Sequence, residues 1–417
     1  MDRPASANGT EDAPVSGRHR SQGDGRVGRG AGNGMVILSS ARLAAVGSYD
    51  PADLVAGMQA GATLDAVEAA LARNGQVLAL DPPSAAGATI GAVAALDAAG
   101  PLRAGLGTPR DQVLGVELVS GDGRILRFGG QVVKNVAGYD VTRLVVGSAG
   151  VLGLITSLHI RVTARPAADR TVVLASGGAQ DAAAVALACR DAVSPAALEV
   201  LGPDGTGSGW RVAVRVQGSA DGVADALRRV RQLGAAVESD AQLWRRLTSS
   251  EGESPMTLRL AGRPGELADL LDAGSRFAAR IFKSDSAFQG SSAVPVANAQ
   301  ARPAHGAAVR IAAHVTDGVV RVWVPTSAAG VAAPLSAETL REAGAELAAE
   351  AVTSGWTWRY DIMPGAVQTS RAGHPSAAPR RHASLDLLPA DSVPEPRAAA
   401  LMAQIRQAFD PAGILEQ

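Results

Sequence analysis

The chain has 417 residues, more than one ordinary domain needs, and its 39 Lys plus Arg against 40 Asp plus Glu leave a net charge of -1. That balance excludes a broad electrostatic field for nucleic acid or an anionic membrane. With 47% apolar but only 3% aromatic residues the core must be built from small aliphatic side chains, and a single cysteine excludes an internal disulfide or a cysteine-ligated metal or iron–sulfur centre, as fits a reducing cytoplasmic setting.

In chain order, residues 1–28 are hydrophilic and carry no apolar run, so they read as a disordered N-terminal segment rather than a signal peptide. MVILSS, from Met35, predicts a short strand. YDPADLVAGMQAGATLDAVEAALARNGQVLAL predicts strand, turn, helix and strand, with Leu64, Val67, Ala70 and Leu71 at helical spacing, Thr63 as N-cap and Gly75 as stop. QVLGVELVSGDGRILRFG predicts a hairpin turning at Gly121-Asp122-Gly123, and GLITSLHIRVTARP a further strand ended by Pro166.

Beyond Thr171, helix-like DAAAVALACRDAV, with Cys189 as a buried small hydrophobe, and ADGVADALRRVRQLGA alternate with strand-like WRVAVRVQG, MTLRLAG and VVRVWVP. This pattern predicts an α+β sheet with helices on one face, and Trp356 and Trp358 on a strand belong to its core or face. Residues 284–305 and 366–383, rich in Ala, Ser, Pro, Gly and Gln without periodicity, predict exposed loops. A helix over 396–409 is expected to return to the first region. The longest nearly apolar stretch, Leu144 to Ile155, falls short of the roughly 20 residues a spanning helix needs, so no direct membrane insertion is expected.

Three glycine clusters stand apart: GRGAGNG (Gly28 to Gly34), GATIGA (Gly87 to Ala92) and GSAGVLG (Gly147 to Gly153). Glycine removes the Cβ and permits positive φ, so successive amides can turn toward one anion; a neutral protein can hold a diphosphate this way. No G-x-x-x-x-G-K-[ST] is present, nor a G-x-G-x-x-G between strand and helix, which argues against P-loop and Rossmann domains.

These stretches resemble the FAD-binding domain shared by vanillyl-alcohol oxidase and p-cresol methylhydroxylase relatives, the PCMH-type family, over roughly Arg29 to Pro166 and again at QAFDPAGIL. The resemblance implies a two-domain α+β fold, an FAD domain at 29–166 and an antiparallel-sheet-plus-helices cap at 167–417. It implies noncovalent FAD, because GRGAGNG lacks the His or Cys to which some relatives attach flavin. Arg29, Gly30, Ala31, Gly32 and Asn33 and then Gly87, Ala88, Thr89, Ile90 and Gly91 would wrap the diphosphate, with the glycines keeping Cβ atoms out of its way. Asp111, in DQVLG, would begin the hairpin flanking the flavin, and Gly147, Ser148, Gly150, Gly153 and Ile155 would meet the nucleotide end. Ahead of the first loop the family has a strand and helix, for which the sequence before Arg29 shows no pattern.

Within the family, LRFGGQVVKNVAGYDVTRLVVGSAGVLGLIT, with Lys134, Asn135, Gly138, Tyr139 and Asp140 in order, AGLGTPRDQVLG and LWRRL are similar to FAD-binding subunits of bacterial glycolate oxidase complexes. That similarity implies oxidation of glycolate to glyoxylate, with a paralogous FAD subunit and an iron–sulfur subunit as partners. Oxidising a 2-hydroxy acid calls for a base, usually His, and a cation for the carboxylate. The six histidines are His19, His159, His305, His314, His374 and His382, and the H-x-x-x-x-x-x-H or H-x-G-x-x-H metal cluster of catalytic relatives is absent, so no catalytic or metal residue is assigned. Two alternatives stand beside the redox subunit: an assembly subunit with a vestigial flavin site, and a stand-alone dehydrogenase of the D-lactate type.

Overall fold

The computed structural model describes residues 38–47, 49, 51–83, 87–130, 139–203, 209–240, 242–252, 254, 256–284, 310–323, 335–362, 367–368 and 396–410. Arg29 to Asn33, Lys134, Asn135, Gly138, His19, His305, His374 and His382 lie outside them.

The first half is organised by a four-stranded antiparallel sheet in the order β1 (Val55–Gln59), β5 (Leu154–Arg161), β3 (Val113–Val119), β4 (Ile125–Gly129). Residues 45–47 run along the open edge of β1, where the Gln59 amide donates to Ala45 and Gly47 to Gly57. Of MVILSS only Leu38 to Ser40 are among the described residues, and these have no regular structure; the rest of that expected strand lies outside them. One sheet face takes α1 (Leu64–Ala72) and α2 (Ile90–Leu96), because Leu64, Val67 and Leu71 of α1 and Ile90 and Val93 of α2 recur at helical spacing and bury against Met58, Val116, Leu118, Leu158 and Ile160. Thr63 caps α1 by accepting from the Ala66 amide, and Gly75 takes φ +64 after its end. Short pieces complete this half: β2 (Gln76–Val77) paired with β6 (Thr163–Ala164), α3 (Arg103–Leu106), α4 (Pro109–Gln112) and α5 (Val141–Val145).

The second half is an eight-stranded antiparallel sheet in the order β10 (Ala236–Ser239), β7 (Ala168–Ser176), β9 (Trp210–Gly218), β8 (Ala197–Leu201), β12 (Arg310–His314), β13 (Val319–Trp323), β11 (Met256–Ala261), β15 (Thr357–Ile362). Its main core lies under α6 (Ala179–Ala192), α7 (Ala220–Gln232), α9 (Leu267–Ser284) and α10 (Ala337–Ser354), and includes Cys189, Trp356 and Trp358. Alternation along the strands sends Ala197, Leu201, Ala213, Ala312 and Trp323 to the opposite face, which is covered by Trp244 and Leu247 of α8 (Gln242–Gly252) and by Leu102 from the first half.

Two expectations for loops are corrected at their edges: Ser284 ends helix α9, and Val367–Gln368 form strand β16, parallel to β14 (Leu335–Ser336). The C-terminal helix, α11 (Pro396–Phe409), returns to the first half through its last residue. Phe409 packs on Phe128 with ring centroids 6.3 Å apart, and its carbonyl accepts from the Gly121 amide.

Candidate functional site

The helices α1 and α2 begin side by side. Thr63 and Thr89 form an isolated antiparallel bridge in which the Leu64 amide donates to Ala88 and the Ile90 amide to Ala62. Both threonines are N-caps, accepting from Ala66 and Ala92 at 3.3 Å, so two positive helix ends meet at one place. Gly87 precedes this junction at φ +72, a conformation that glycine adopts without strain, and a Cβ there would meet nothing.

The distribution of amides narrows the expected cradle. Among the described residues the amides of Gly87, Ala88 and Thr89 donate to no protein acceptor, so they can face an anion. Ile90 and Gly91 cannot contribute in the same way, because their amides are spent on Ala62 and Ala60 at 2.9 and 2.8 Å. Gly91 also lacks a Cβ for a reason other than the diphosphate: the atom would fall 2.6 Å from the Ala60 Cβ and 2.7 Å from its carbonyl oxygen. Glycine at 91 lets α2 press against the end of β1.

The third cluster docks at the other end of α2. The Gly147 amide donates to Ala94 and that of Ala149 to Ala95, while Ser148, Val151 and Gly153 donate within the bend to Val145, Ser148 and Gly150. Gly147, Gly150 and Gly153 all take positive φ, and a Cβ on Gly153 would collide with Leu118 and Val119. These glycines therefore shape a turn that closes on the helix and sheet. The two clusters stand one helix length apart, about 10 Å for seven residues at about 1.5 Å each, and do not converge on one phosphate. An elongated dinucleotide can span both; a single anion cannot. Ile155 is a buried core residue opposite Leu118.

Asp111 is engaged within the protein. It accepts from the Thr108 amide at 3.0 Å, completing the capping box of α4, and lies 3.5 Å from the Arg143 guanidinium. Asp140 caps α5 by accepting from the Arg143 amide, and Tyr139 beside it is 97% exposed.

On the sheet of the first half, His159 lies between Gly57 and Gly115 on the neighbouring strands, and burial holds its pKa below the usual imidazole range. His314 is sealed in the cap at 2% exposure, against the Glu199 carboxylate. Glu199 also accepts from Arg321 at 2.6 Å, Arg321 reaches Glu251, and Glu251 accepts from Arg259 at 3.0 Å. Arg321 is thus paired with two carboxylates and has no exposed surface for a substrate. Among the described residues no three His, Cys, Asp or Glu side chains are placed to hold a metal ion.

Sequence reasoning passed over Asp81. It stands six residues before Gly87, followed by Pro82 and Pro83, and its carboxylate accepts from the Leu102 amide at 3.1 Å. Leu102 leads into α3, which plugs onto the cap: Arg103 ion-pairs with Asp317, and the Gly105 amide donates to Ala196 at 3.2 Å. Burial raises Asp81 to about 7, with the Leu102 amide and Arg215 working against the rise. An acid followed directly by the prolines that lead to a glycine loop was the available signal.

Comparison with known proteins agrees with this arrangement. Residues 3–129 match the family described as FAD binding domain. A glycolate oxidase subunit, GlcE, of Escherichia coli (strain K12) is 48% identical over 123 residues, 29% of this chain and 35% of the relative. A glycolate oxidase subunit, GlcD, of Bacillus subtilis (strain 168) is 36% identical over 141 residues, 34% and 30% of the two chains. A D-lactate dehydrogenase of Archaeoglobus fulgidus is 37% identical over 145 residues, 32% of each. The matched region spans about a third of the length of these curated relatives. In fold, the chain is similar to an alkyldihydroxyacetonephosphate synthase with a TM-score of 0.60 at 15% identity, covering 89% of this chain and 66% of the other. With its paired helix starts, open Gly87 loop and antiparallel cap sheet, the chain carries an FAD binding domain of the PCMH type.

Proposed function

We propose that this chain is the FAD-binding subunit of a multi-subunit 2-hydroxy-acid oxidase of the glycolate type, passing electrons toward an iron–sulfur partner, with a paralogous FAD subunit in the same assembly. The observation that carries the reading is the set of amides at Gly87, Ala88 and Thr89 that have no protein acceptor among the described residues, at the meeting of two helix N-termini, the chemistry a diphosphate requires. The similarity to the two glycolate oxidase subunits supports the substrate class. Bound FAD would supply the hydride acceptor; the Gly87 loop would hold its diphosphate, and Gly147 to Gly153 would border another part of the same extended molecule. The test is the visible spectrum of the purified chain, alone and after adding glycolate. Stoichiometric flavin absorbance that glycolate bleaches is expected; a colourless chain that takes up no FAD refutes the reading.

A second reading, an assembly subunit with a vestigial flavin site, draws on the saturation of Arg321 by Glu199 and Glu251, which leaves that cation unable to take a substrate carboxylate. Flavin that is present but bleached only when a partner flavoprotein is added would favour it. A stand-alone D-lactate-type dehydrogenase would instead be bleached by D-lactate without any partner.

A further inference from the structure

The side chain of Arg110 joins the end of α2 to the start of the third glycine loop. Arg110, the second residue of α4, touches two stretches remote from it in sequence. Its amide donates to one Asp97 carboxylate oxygen at 3.0 Å, its Nε lies 3.6 Å from the other, and its Nη2 donates to the Val146 carbonyl at 3.0 Å. Asp97 is the left-handed C-cap of α2, and Val146 is the C-cap of α5, directly before the loop. The guanidinium also lies over the bare Cα of Gly147, where a Cβ would fall 2.5 Å from Nη2 and 3.2 Å from the Asp97 Cβ. Gly147 is glycine to admit Arg110 as well as to reach φ +85.

The loop held in this way is strained. Among the described residues three non-glycines take positive φ, and two of them, Asp97 at +48 and Ala149 at +54, belong to this junction. An L-residue keeps that conformation only where its surroundings over-determine it. Here the surroundings are the Gly147 and Ala149 amides on the Ala94 and Ala95 carbonyls, together with the Arg110 fork. Fold stability is a poor reason for the fork, because the Arg110 side chain is 47% exposed and an ion pair so open to water contributes little. The backbone angles of Ala149 instead set the direction of the next amide, that of Gly150, which donates to no acceptor among the described residues. It stands at the opposite end of α2 from the Gly87 loop.

We propose that Arg110 is a positioning residue for the cofactor. Through Asp97 and Val146 it holds the loop from Gly147 to Gly153 in the form that receives the adenosine half of FAD, and so sets a preference for the dinucleotide over FMN, which lacks that half. This role rests on the reading that the Gly87 loop holds the diphosphate and the third loop borders another part of the same molecule. Arginine is required because one planar group must reach a carboxylate and a carbonyl at once, which the point charge of a lysine cannot do.

The experiment measures the Kd of FAD and of FMN for the full apo-chain by flavin fluorescence, in wild type, Arg110→Gln and Arg110→Lys. Wild type should bind FAD roughly tenfold or more tighter than FMN. In Arg110→Gln the loss of pre-organisation should weaken FAD by roughly tenfold or more, leave FMN within about twofold, and lower the apo thermal midpoint by no more than about 3 °C. Arg110→Lys should behave like Arg110→Gln, since it keeps the charge and loses the fork. Unchanged FAD affinity in Arg110→Gln, or equal weakening of both flavins, overturns the positioning role. Full FAD affinity in Arg110→Lys also overturns it, because a bare charge would then suffice. Wild type that binds FAD and FMN equally overturns the third-loop reading and this role with it, and wild type that binds neither overturns the FAD site itself. Should Arg110→Gln not fold, Asp97→Asn carries the test, since asparagine tolerates left-handed backbone and keeps an oxygen for the Arg110 amide. The same selective loss of FAD is expected there, and an unaltered ratio of FAD to FMN affinity overturns the proposal.

Discussion

The Gly91 amide donates to the Ala60 carbonyl over 2.8 Å, and the two residues are so close that a Cβ on Gly91 would lie 2.6 Å from that of Ala60. Helix α2 is thereby pinned to the end of β1, and the Gly87 loop is carried into place by that contact. Gly91→Ala should therefore destabilise the fold by about 1–3 kcal/mol through overpacking, and Gly91→Val by more. Thermal unfolding of the apo-chain reads this directly; an unaltered midpoint with selective loss of FAD would return Gly91 to the diphosphate.

Gly87 gives the opposite expectation. A Cβ there meets nothing, so Gly87→Ala should cost only the left-handed strain, about 1–2 kcal/mol, while shifting the amides proposed to take the diphosphate. FAD titration by flavin fluorescence should show at least a tenfold weaker Kd, with the apo-fold intact by circular dichroism. Undiminished affinity would mean that the loop amides hold no phosphate.

The cap cluster should respond non-additively. Arg321→Met leaves Glu199 and Glu251 buried without their shared cation and should cost about 3–5 kcal/mol. Adding Glu199→Gln to Arg321→Met removes one of the stranded charges, so the double variant should be more stable than the sum of the singles. Denaturant unfolding of the three variants checks this; strict additivity would show that the cluster carries no coupling.

Cys189 has no exposed surface, and burial pushes its thiol up to about 11. The native chain should leave an aromatic disulfide reagent unreacted for hours at pH 8 and yield one thiol per chain in denaturant. Rapid reaction of the folded protein would place Cys189 at an accessible site.

Local sequence was informative wherever a residue acts on its own neighbours. Thr63 before the Leu64, Val67, Leu71 stripe specifies where α1 begins and which side it buries, and Gly121-Asp122-Gly123 between β-branched runs specifies the hairpin of β3 and β4. The glycine loops were visible as motifs because positive φ is a property of single residues.

Which glycine keeps an amide without a protein acceptor among the described residues and which serves packing was decided by the tertiary structure alone. Gly87 and Gly91 are alike in sequence, yet one amide has no acceptor among the described residues and the other is consumed by a carbonyl thirty-one positions away along the chain. The same holds for Asp81 and Arg321. Their environments are assembled from strands remote in sequence, and long-range burial, which raises one carboxyl and saturates the other's cation, leaves no trace in the local pattern of residues.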